Sequence, residues 1–380
     1  MYDLVGYGTM IADKGRTSAY ARALEQLVTP DSVVLDIGTG AGIMALLACR
    51  AGAARVYAVE PAGIIDVARE AAAANGFANR IRFIQAMSTE IDLPEQVDGI
   101  VAEIHGVLPL FQQSVTSIVD ARDRFLKTGG WIIPARETMW TAVVSSPRAH
   151  AEVVDPWNTE YAFDFSGAVW RAANQCRRRR FNASELATPP HCWATLDYAA
   201  LAGPNVSGHI SWTLERAAIG HGIAAWFDTE AAAGIGFSNS PSSEEHIFAE
   251  MFFPWPEAVQ LATGDKVAVR LRADLVGSSY VWSWKTEVAG SSSEAVKASF
   301  GQSSLLAEPL GRGQLRRRAD DFVAELNDDA RVDRYILSLM DRKMPLGEIA
   351  TAIQAAFPGT FKDWSAALGR VGSLSQRYSR

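Results

Sequence analysis

Residues 33–42 read VVLDIGTGAG, and this stretch decides the fold. Its first residues are apolar or β-branched, as in a strand buried within a parallel sheet. Gly38, Gly40 and Gly42 then mark a turn, and the apolar run IMALLACRAG after it predicts a helix. A glycine turn between strand and helix lets the backbone approach a ligand, and the helix N-terminus offers free N–H groups. The stretch therefore predicts the entry to a nucleotide-binding α/β unit, with Asp36 acting through the backbone of the turn.

Further strands extend this unit. The strand RVYAVE ends in Glu60, about 20 residues past the turn, where a carboxylate can accept hydrogen bonds from both ribose hydroxyls. A third strand, RIRFIQAM, follows a helix, and a fourth, VDGIVAE, ends in Glu103. The glycine spacing is G-x-G-x-G rather than G-x-G-x-x-G, which favours S-adenosylmethionine (SAM) over NAD. A dehydrogenase-like domain, or an α/β domain without a cofactor, is the alternative.

Composition limits the class of protein. The chain has 380 residues, 48% hydrophobic and 21% charged, as in an ordinary globular protein of two or three domains. A net charge of −7 argues against a general nucleic-acid binder. The three cysteines have neither metal-binding nor disulfide spacing, so no metal is expected. We expect no signal peptide, no membrane span and a reduced cytoplasmic location.

The character of the sequence changes along the chain. Residues 1–30 predict helices that cover the cofactor site, and residues 31–136 carry the alternating strands and helices. Residues 137–306 contain short strands with alternating polarity, typical of an antiparallel barrel or sandwich. They include an excursion at about 150–188 with the run RRRR, which we interpret as a solvated helix end or, alternatively, an anion-binding patch. Residues 307–380 predict short helices.

Several motifs, in order, resemble the protein arginine methyltransferase family over roughly residues 2–306. MIADKGRTSAY resembles the family's N-terminal helix, and VVLDIGTGAGIMALLACRAGAARVYAVE its first cofactor motif. LPEQVDGIVAEIHG resembles the segment entering its catalytic hairpin, and ARDRFLKTGGWIIPA the segment that follows. EYAFDFS resembles the base of its dimerisation arm, and GFSNSP followed by EEHIF resembles the loop with its Thr-His-Trp motif. The C-terminal helices lie outside the resemblance.

The resemblance implies a fold and a cofactor. The fold is an α/β Rossmann-like SAM-binding domain followed by an antiparallel β-barrel with a dimerisation arm, plus a small C-terminal helical region. SAM would be the methyl donor, S-adenosylhomocysteine the product, and the protein a homodimer through the arm. The implied cofactor-binding residues are Tyr7, Met10, Arg16, Asp36, Gly38, Gly40, Gly42, Glu60, Met87, Ser88 and Glu103.

The resemblance also implies a catalytic arrangement, from which this sequence departs. In the family, two glutamates on a hairpin hold a guanidinium, whose planar fork of N–H donors suits carboxylates. Glu103 matches the first, but Gln112 stands at the second and carries no charge. Asp13 and His246 match an Asp–His pair placed to relay the substrate proton, a task that suits histidine.

The acceptor pocket is therefore predicted to be remodelled. His105-Gly106 replaces the first two residues of a Met-Gly-Tyr segment in the hairpin, and both are candidate substrate residues. Glu245 directly precedes His246 on the loop that faces the hairpin in the family. We interpret Glu245 as a replacement for the missing second acid or, equally, as an exposed loop acid.

Three functions remain open from the sequence. The first is a SAM-dependent N-methyltransferase acting on a guanidino nitrogen of arginine in a small-molecule or peptide acceptor. The second is methylation of another N or O nucleophile, such as an imidazole or amine, in secondary metabolism. The third is a pseudoenzyme that binds SAM without turnover, against which Glu103, Asp13 and His246 argue.

Overall fold

The computed structural model describes residues 3–157, 161, 163–291 and 296–379. The chain divides into two compact units, Met1–Pro309 and Leu310–Arg380. The segment that resembles the base of a dimerisation arm falls partly on residues outside this description, at 158–160 and 162. In the described part of the chain, no helix is both long enough and apolar enough to cross a membrane.

The first sheet consists of β1 (Val33–Ile37), β2 (Arg55–Val59), β3 (Ile81–Ile84), β4 (Val97–Ala102) and β5 (Leu126–Ile133). Its strands are parallel and lie in the order β3-β2-β1-β4-β5, so the predicted Rossmann-like sheet is confirmed. The whole of β1 is buried, as its apolar sequence requires. The strand order reverses between β1 and β4, and a crevice for a ligand is expected beyond the carboxyl ends of these strands.

The helices of this part are α1 (Leu4–Ala12), α2 (Lys14–Leu27), α3 (Ile43–Ala51), α4 (Ile65–Ala74) and α5 (Ser114–Phe125). Asp13 separates α1 from α2 and caps α2, because its side chain accepts a hydrogen bond from the Arg16 backbone N–H. Gly42 is the residue before α3 and has left-handed backbone angles. These two helix starts bring α2 and α3 to the carboxyl edge of the sheet.

The second part of the first unit is antiparallel. Its strands are β6 (Arg136–Val144), β7 (Arg177–Arg179), β8 (His191–Asp197), β9 (Val206–Thr213), β10 (Ala218–Ala232), β11 (Ile235–Ser238), β12 (Glu250–Leu261), β13 (Lys266–Val276), β14 (Ser279–Ala289) and β15 (Val296–Ser303). One ladder runs β7-β12-β10-β6-β8, with β11 paired to β10, and a second runs β15-β14-β13-β9. The predicted antiparallel domain after the Rossmann-like sheet is confirmed, with its described strands arranged in two sheets.

The excursion between β6 and β8 contains α6 (Pro147–Val154), α7 (Ser166–Ala173) and the strand β7. Short 3-10 turns lie at Ser88–Glu90, Asp155–Trp157, Ala183–Glu185 and Ser304–Leu306. The arginine run falls on β7, which pairs with the edge of β12. The prediction of a helix end at this run is therefore wrong, because its backbone bonds to a neighbouring strand.

One of the buried hydrophobic clusters of the first unit contains residues of both its parts. Leu35 and Ile100 of the parallel sheet belong to the same buried cluster as Phe227, Phe253 and Trp255 of the antiparallel strands. Side chains of this size contribute about 1.5–3 kcal/mol each when fully buried. The strands that border the crevice at the carboxyl edge of the first sheet are therefore held by a packed hydrophobic cluster.

The second unit consists of α8 (Arg312–Arg316), α9 (Asp328–Asp341), α10 (Leu346–Ala356) and α11 (Trp364–Tyr378), as predicted for this helical region. The last three helices bury Ile336, Ile349 and Val371 in a core of their own. Arg370 of α11 donates two hydrogen bonds, each 2.8 Å, to the carboxylate of Asp333 on α9.

Candidate active site

The glycine turn lies at the carboxyl end of β1. Gly38, Gly40 and Gly42 have φ angles of +70°, +53° and +91°, which side chains other than glycine rarely adopt. A Cβ atom on Gly40 would lie 2.8 Å from the ring of Tyr7 on α1, and one on Gly38 would collide with Ile104. The turn therefore requires glycine for its backbone angles and for the space at the crevice.

Two acids support this turn from β1 and β2. Asp36 is buried and accepts a 2.5 Å hydrogen bond from the Thr39 hydroxyl. Burial raises the pKa of Asp36 to about 7, although the Thr39 hydroxyl and the Ala45 backbone N–H oppose the shift. Glu60 accepts hydrogen bonds from the backbone N–H groups of Gly40, at 3.1 Å, and Ala62, at 2.9 Å. These contacts tie the end of β2 to the turn.

A cavity of about 510 Å³ opens between the turn and the loop that follows β4, which is the segment predicted as the catalytic hairpin. This volume lies in the range of small-molecule sites. The cavity brings together most of the predicted site residues, namely Tyr7, Met10, Arg16, Gly38, Gly40, Glu60, Met87, Ser88, Glu103, His105 and Gln112. The remaining six do not line it: Asp13, Asp36, Gly42, Gly106, Glu245 and His246.

Arg16 and Glu103, both in the cavity lining, form an ion pair. Arg16, only 1% exposed, places its Nη1 atom 2.6 Å from Oε2 of Glu103. Its Nη2 atom donates a 2.5 Å hydrogen bond to the Met10 carbonyl oxygen, while Nε has no partner among the described residues. A buried cation of this kind needs its carboxylate, and the carboxylate is oriented by it.

Asp13 and His246 form the predicted pair behind the cavity wall. The Nδ1 atom of His246 lies 3.0 Å from Asp13 Oδ1, and Asp13 Oδ2 accepts a 2.9 Å hydrogen bond from the Ile247 backbone N–H. Burial opposes ionisation of Asp13, but the N–H groups of Ile247 and Arg16 and the ring of His246 outweigh it. The pKa of Asp13 therefore lies below its ordinary value.

Sequence reasoning missed Gly15, which leaves space for the His246 ring because it has no side chain. A Cβ atom on Gly15 would collide with the His246 ring, so only glycine fits at this position of α2. The available signal was a glycine in the first turn of a predicted helix, two residues after the matched Asp13, where glycine is unfavourable unless space requires it.

Sequence reasoning also missed Glu137, near the start of β6. This side chain is fully buried, and its Oε1 atom lies 2.6 Å from Nε2 of His105. The other ring nitrogen of His105 lies 3.4 Å from Oε1 of Glu103. Both ring nitrogens are buried, and both carboxylates lie within ion-pair distance of them. The available signal was an acid near the start of a strand whose following residues, TMWTAVV, are all apolar or β-branched.

Glu137 and Glu103 therefore both affect the pKa of His105. Burial disfavours the imidazolium, but the charges and contacts of Glu137 and Glu103 outweigh burial and raise the pKa of His105 to about 10. The ring packs against Phe227 and Phe248, with centroids 5.5 and 5.9 Å away. His105 therefore lies in the cavity lining beside two acids that favour its protonated form.

Gln112, the residue predicted at the second acid position, carries no charge. Gln112 lines the cavity in the left-handed region, at φ +45°. Glu60 and Glu103 are the carboxylates among the described lining residues. Gly106 lies outside the lining, where a Cβ atom would meet the Phe111 ring at 2.6 Å, so it permits the close hairpin turn.

Glu245 lies away from the cavity. Its side chain is 75% exposed and pairs with Arg180, whose Nε atom lies 2.6 Å from Glu245 Oε1. Arg178 and Arg180 also donate to the Ile247 and His246 carbonyl oxygens. The arrangement corresponds to the exposed loop acid, not to a replacement for the second carboxylate, and the neighbouring arginines hold the loop.

The site residues fit the cofactor suggested by the sequence. Glycine backbone at Gly38 and Gly40 borders the cavity without side chains, and Glu60 presents a carboxylate at the end of the neighbouring strand. Arg16 adds a buried Nε–H group without a partner among the described residues. A ligand that carries a ribose and a carboxylate, as SAM does, suits these groups.

Comparison with known proteins finds similarity to methyltransferases. Residues 13–141 match the model of the ribosomal protein L11 methyltransferase (PrmA) family. The chain is 31% identical over 248 residues to "Probable protein arginine N-methyltransferase 6" of Arabidopsis thaliana, covering 63% of this chain and 57% of that protein. It is 28% identical over 266 residues to "Protein arginine N-methyltransferase 1.1" of the same plant, covering 68% of each.

A solved structure shows the same fold. The PRMT1 enzyme–prozyme heterotetrameric complex of Trypanosoma brucei with AdoHcy superposes with a TM-score of 0.73 at 22% identity. The match covers 78% of this chain and 97% of that chain. The fold shared with this structure is a Rossmann-like domain followed by an antiparallel domain. In sequence, the chain is similar to proteins named protein arginine N-methyltransferase over about two thirds of its length, and it spans 57% of the first of these relatives.

Proposed function

We propose that the chain is a SAM-dependent N-methyltransferase that transfers a methyl group to a guanidino nitrogen of arginine, in a free amino acid, a small molecule or a peptide. One observation carries the proposal: Glu103 lines the same cavity as Gly38 and Gly40 and is oriented by the buried Arg16. A cofactor turn and an oriented carboxylate in one cavity suit transfer between two bound molecules.

The cofactor would lie at the turn. Gly38 and Gly40 allow close backbone approach, Glu60 would accept the ribose hydroxyls, and Tyr7 and Met10 of α1 would cover the site. Met87 and Ser88 complete this end. When bound, SAM supplies an electrophilic methyl group on its sulfonium. The chain's own contribution is to exclude water and to fix the direction of approach.

The acceptor would lie at Glu103 and Gln112. Glu103 accepts hydrogen bonds from the planar N–H groups, while Gln112 accepts one without adding charge. The Asp13–His246 pair is proposed to take up the released proton. Asp13 also caps α2 at Arg16, so the pair positions the residue that orients Glu103.

A second acceptor class is favoured by the single carboxylate at this end. A cationic guanidinium buried with one partially neutralised carboxylate is less well compensated than one held by two. An uncharged amine or imidazole nitrogen needs no second negative charge. Free histidine and arginine therefore belong in the same assay.

The experiment uses deuterium-labelled SAM with free arginine, free histidine or an arginine-rich peptide, and mass spectrometry of the products. We expect labelled methyl on a nitrogen of one acceptor with the wild-type chain and a loss of about 100-fold or more with Glu103→Gln. Glu250→Gln is the matched control, since Glu250 is also a buried glutamate but lies on β12, outside the cavity lining. Equal rates for Glu103→Gln and the wild type would contradict the assignment, and SAM binding without product would favour the pseudoenzyme.

We also propose a homodimer formed through residues 150–188. Aromatic side chains of this excursion are exposed, with Tyr161 79%, Phe163 71% and Trp170 41% accessible. Apolar groups clustered at a surface are typical of an interface. Light scattering at micromolar concentration should give twice the chain mass, and a monomeric mass would contradict the proposal.

A further inference from the structure

A row of four charged side chains runs along the acceptor-side wall from α2 to β6. Arg16 Nη1 lies 2.6 Å from Glu103 Oε2, and Glu103 Oε1 lies 3.4 Å from His105 Nδ1. His105 Nε2 lies 2.6 Å from Glu137 Oε1. Each oxygen of Glu103 therefore faces a different cation, and the row ends in a buried acid.

Glu137 is anchored more firmly than a lone buried acid would be. Its Oε2 atom accepts a 2.5 Å hydrogen bond from the Tyr198 hydroxyl, and its Oε1 atom accepts one of 3.1 Å from Thr229. These partners come from the segment after β8 and from β10, so two other parts of the antiparallel domain hold the carboxylate that β6 carries. A carboxylate fixed in this way holds the imidazole that faces it.

We infer that Glu137 is a positioning residue for the proposed methyl transfer: by keeping His105 cationic and in place, it restrains the Oε1 atom of Glu103 toward the acceptor. The inference rests on the proposed function. Glu137 is absent from the described lining of the cavity and acts only through His105. Gln112 is neutral and cannot act as a second acid at the acceptor. In this proposal, the His105–Glu137 pair restrains the Glu103 side chain in its place.

The groups around His105 support its positive charge. Glu103 follows β4, Glu137 lies on β6, and Arg16 faces the far oxygen of Glu103 from α2. Tyr20 and Tyr198 also face the row, and burial raises the pKa of both phenols, so they stay neutral. Two anions and two cations remain, and the row is balanced only while His105 holds its proton.

Replacing Glu137 predicts a specific pH dependence. In the wild type, the His105 pKa of about 10 keeps the ring protonated through assays at pH 6–9. Glu137→Gln keeps the shape but removes the largest stabilising charge, so the pKa falls and the ring loses its proton within that range. The ratio of kcat/KM in Glu137→Gln to that in the wild type should therefore fall several-fold as pH rises. Glu137→Asp, which keeps the charge, should restore a flatter ratio.

An NMR titration gives a readout independent of turnover. The chain has six histidines, and His105→Gln identifies the His105 signal by its loss. With S-adenosylhomocysteine present, the wild-type His105 signal should stay in its protonated position from pH 6 to 9, whereas that of Glu137→Gln should titrate. If no acceptor is methylated, the proposed function fails while this titration still tests the charge pair. If Glu137→Gln does not fold, the wild-type titration alone decides.

Two results would overturn the inference. One is a wild-type His105 that titrates near 6.5, as an unperturbed histidine does. The other is a Glu137→Gln to wild-type ratio of kcat/KM that is constant with pH. Glu250→Gln, the matched control for loss of a buried acid, should show the wild-type pH profile and the wild-type His105 signal.

Discussion

The two ends of the cavity are built in different ways. The proposed cofactor end is made by backbone, from the left-handed glycines after β1 and the N–H groups that donate to Glu60. The proposed acceptor end is made by side chains from distant segments, with Arg16, Glu103, His105 and Glu137 in one row. A site made by backbone leaves a local pattern in the sequence, whereas the members of a charge network are scattered along the chain and no local pattern links them.

At the proposed acceptor end, the departures from the family pattern depend on one another. Gln112 removes a carboxylate from the lining, and His105 adds a cation next to the remaining carboxylate. Glu137 supplies the charge that His105 requires. A single buried charge would be costly, but the pair is tolerated because its members compensate each other.

Arg16→Ala should have the largest effect on turnover, since Arg16 contacts both Glu103 and the Met10 carbonyl oxygen. The change leaves Glu103 Oε2 and the Met10 carbonyl without their donor, so Glu103 can move. We expect kcat/KM to fall about 100-fold or more, measured with labelled SAM. Arg22→Ala is the matched control, because Arg22 is exposed on the same helix. Turnover in Arg16→Ala within twofold of Arg22→Ala would contradict the account.

Gly15→Ala should have an intermediate effect at the acceptor end. The added methyl group would collide with the His246 ring and push it from Asp13. We expect kcat to fall on the order of tenfold while S-adenosylhomocysteine affinity, measured by calorimetry, changes little. Gly63→Ala is the control, since a Cβ atom there meets no atom within 4 Å. An unchanged kcat in Gly15→Ala would show that the Asp13–His246 contact is dispensable.

Glu245→Gln should have the smallest effect. Its pair with Arg180 is exposed, and such pairs contribute about 0–1 kcal/mol. Steady-state kcat/KM for the best acceptor should change by about twofold or less. A loss of tenfold or more would return Glu245 to the acceptor site as the second acid.

The sequence was informative where local pattern and geometry coincide. The parallel sheet, the turn at Gly38 and Gly40 and the antiparallel strands follow from apolar runs, glycine spacing and alternation. The resemblance added the Asp13–His246 contact, whose partners are 233 residues apart. No spacing rule brings such distant residues together.

The rest depended on how the chain packs. Glu245 is a candidate acid in the sequence because it adjoins His246, but Arg180 of the excursion pairs with it at the surface. The arginine run suggests a helix end, yet it pairs with the edge of β12. Glu137 is one acid in a strand, and only its burial beside His105 reveals its part in the site.

Calorimetric binding of S-adenosylhomocysteine to the wild type and to Gly40→Val tests the central claim most directly. The introduced valine side chain would occupy a left-handed position and meet Tyr7 inside the cavity. We expect saturable binding to the wild type and a loss of affinity of about 100-fold or more in Gly40→Val, with the circular dichroism spectrum unchanged. Equal affinity of the two folded proteins, or no binding to the wild type, would contradict the assignment of this cavity as the cofactor site.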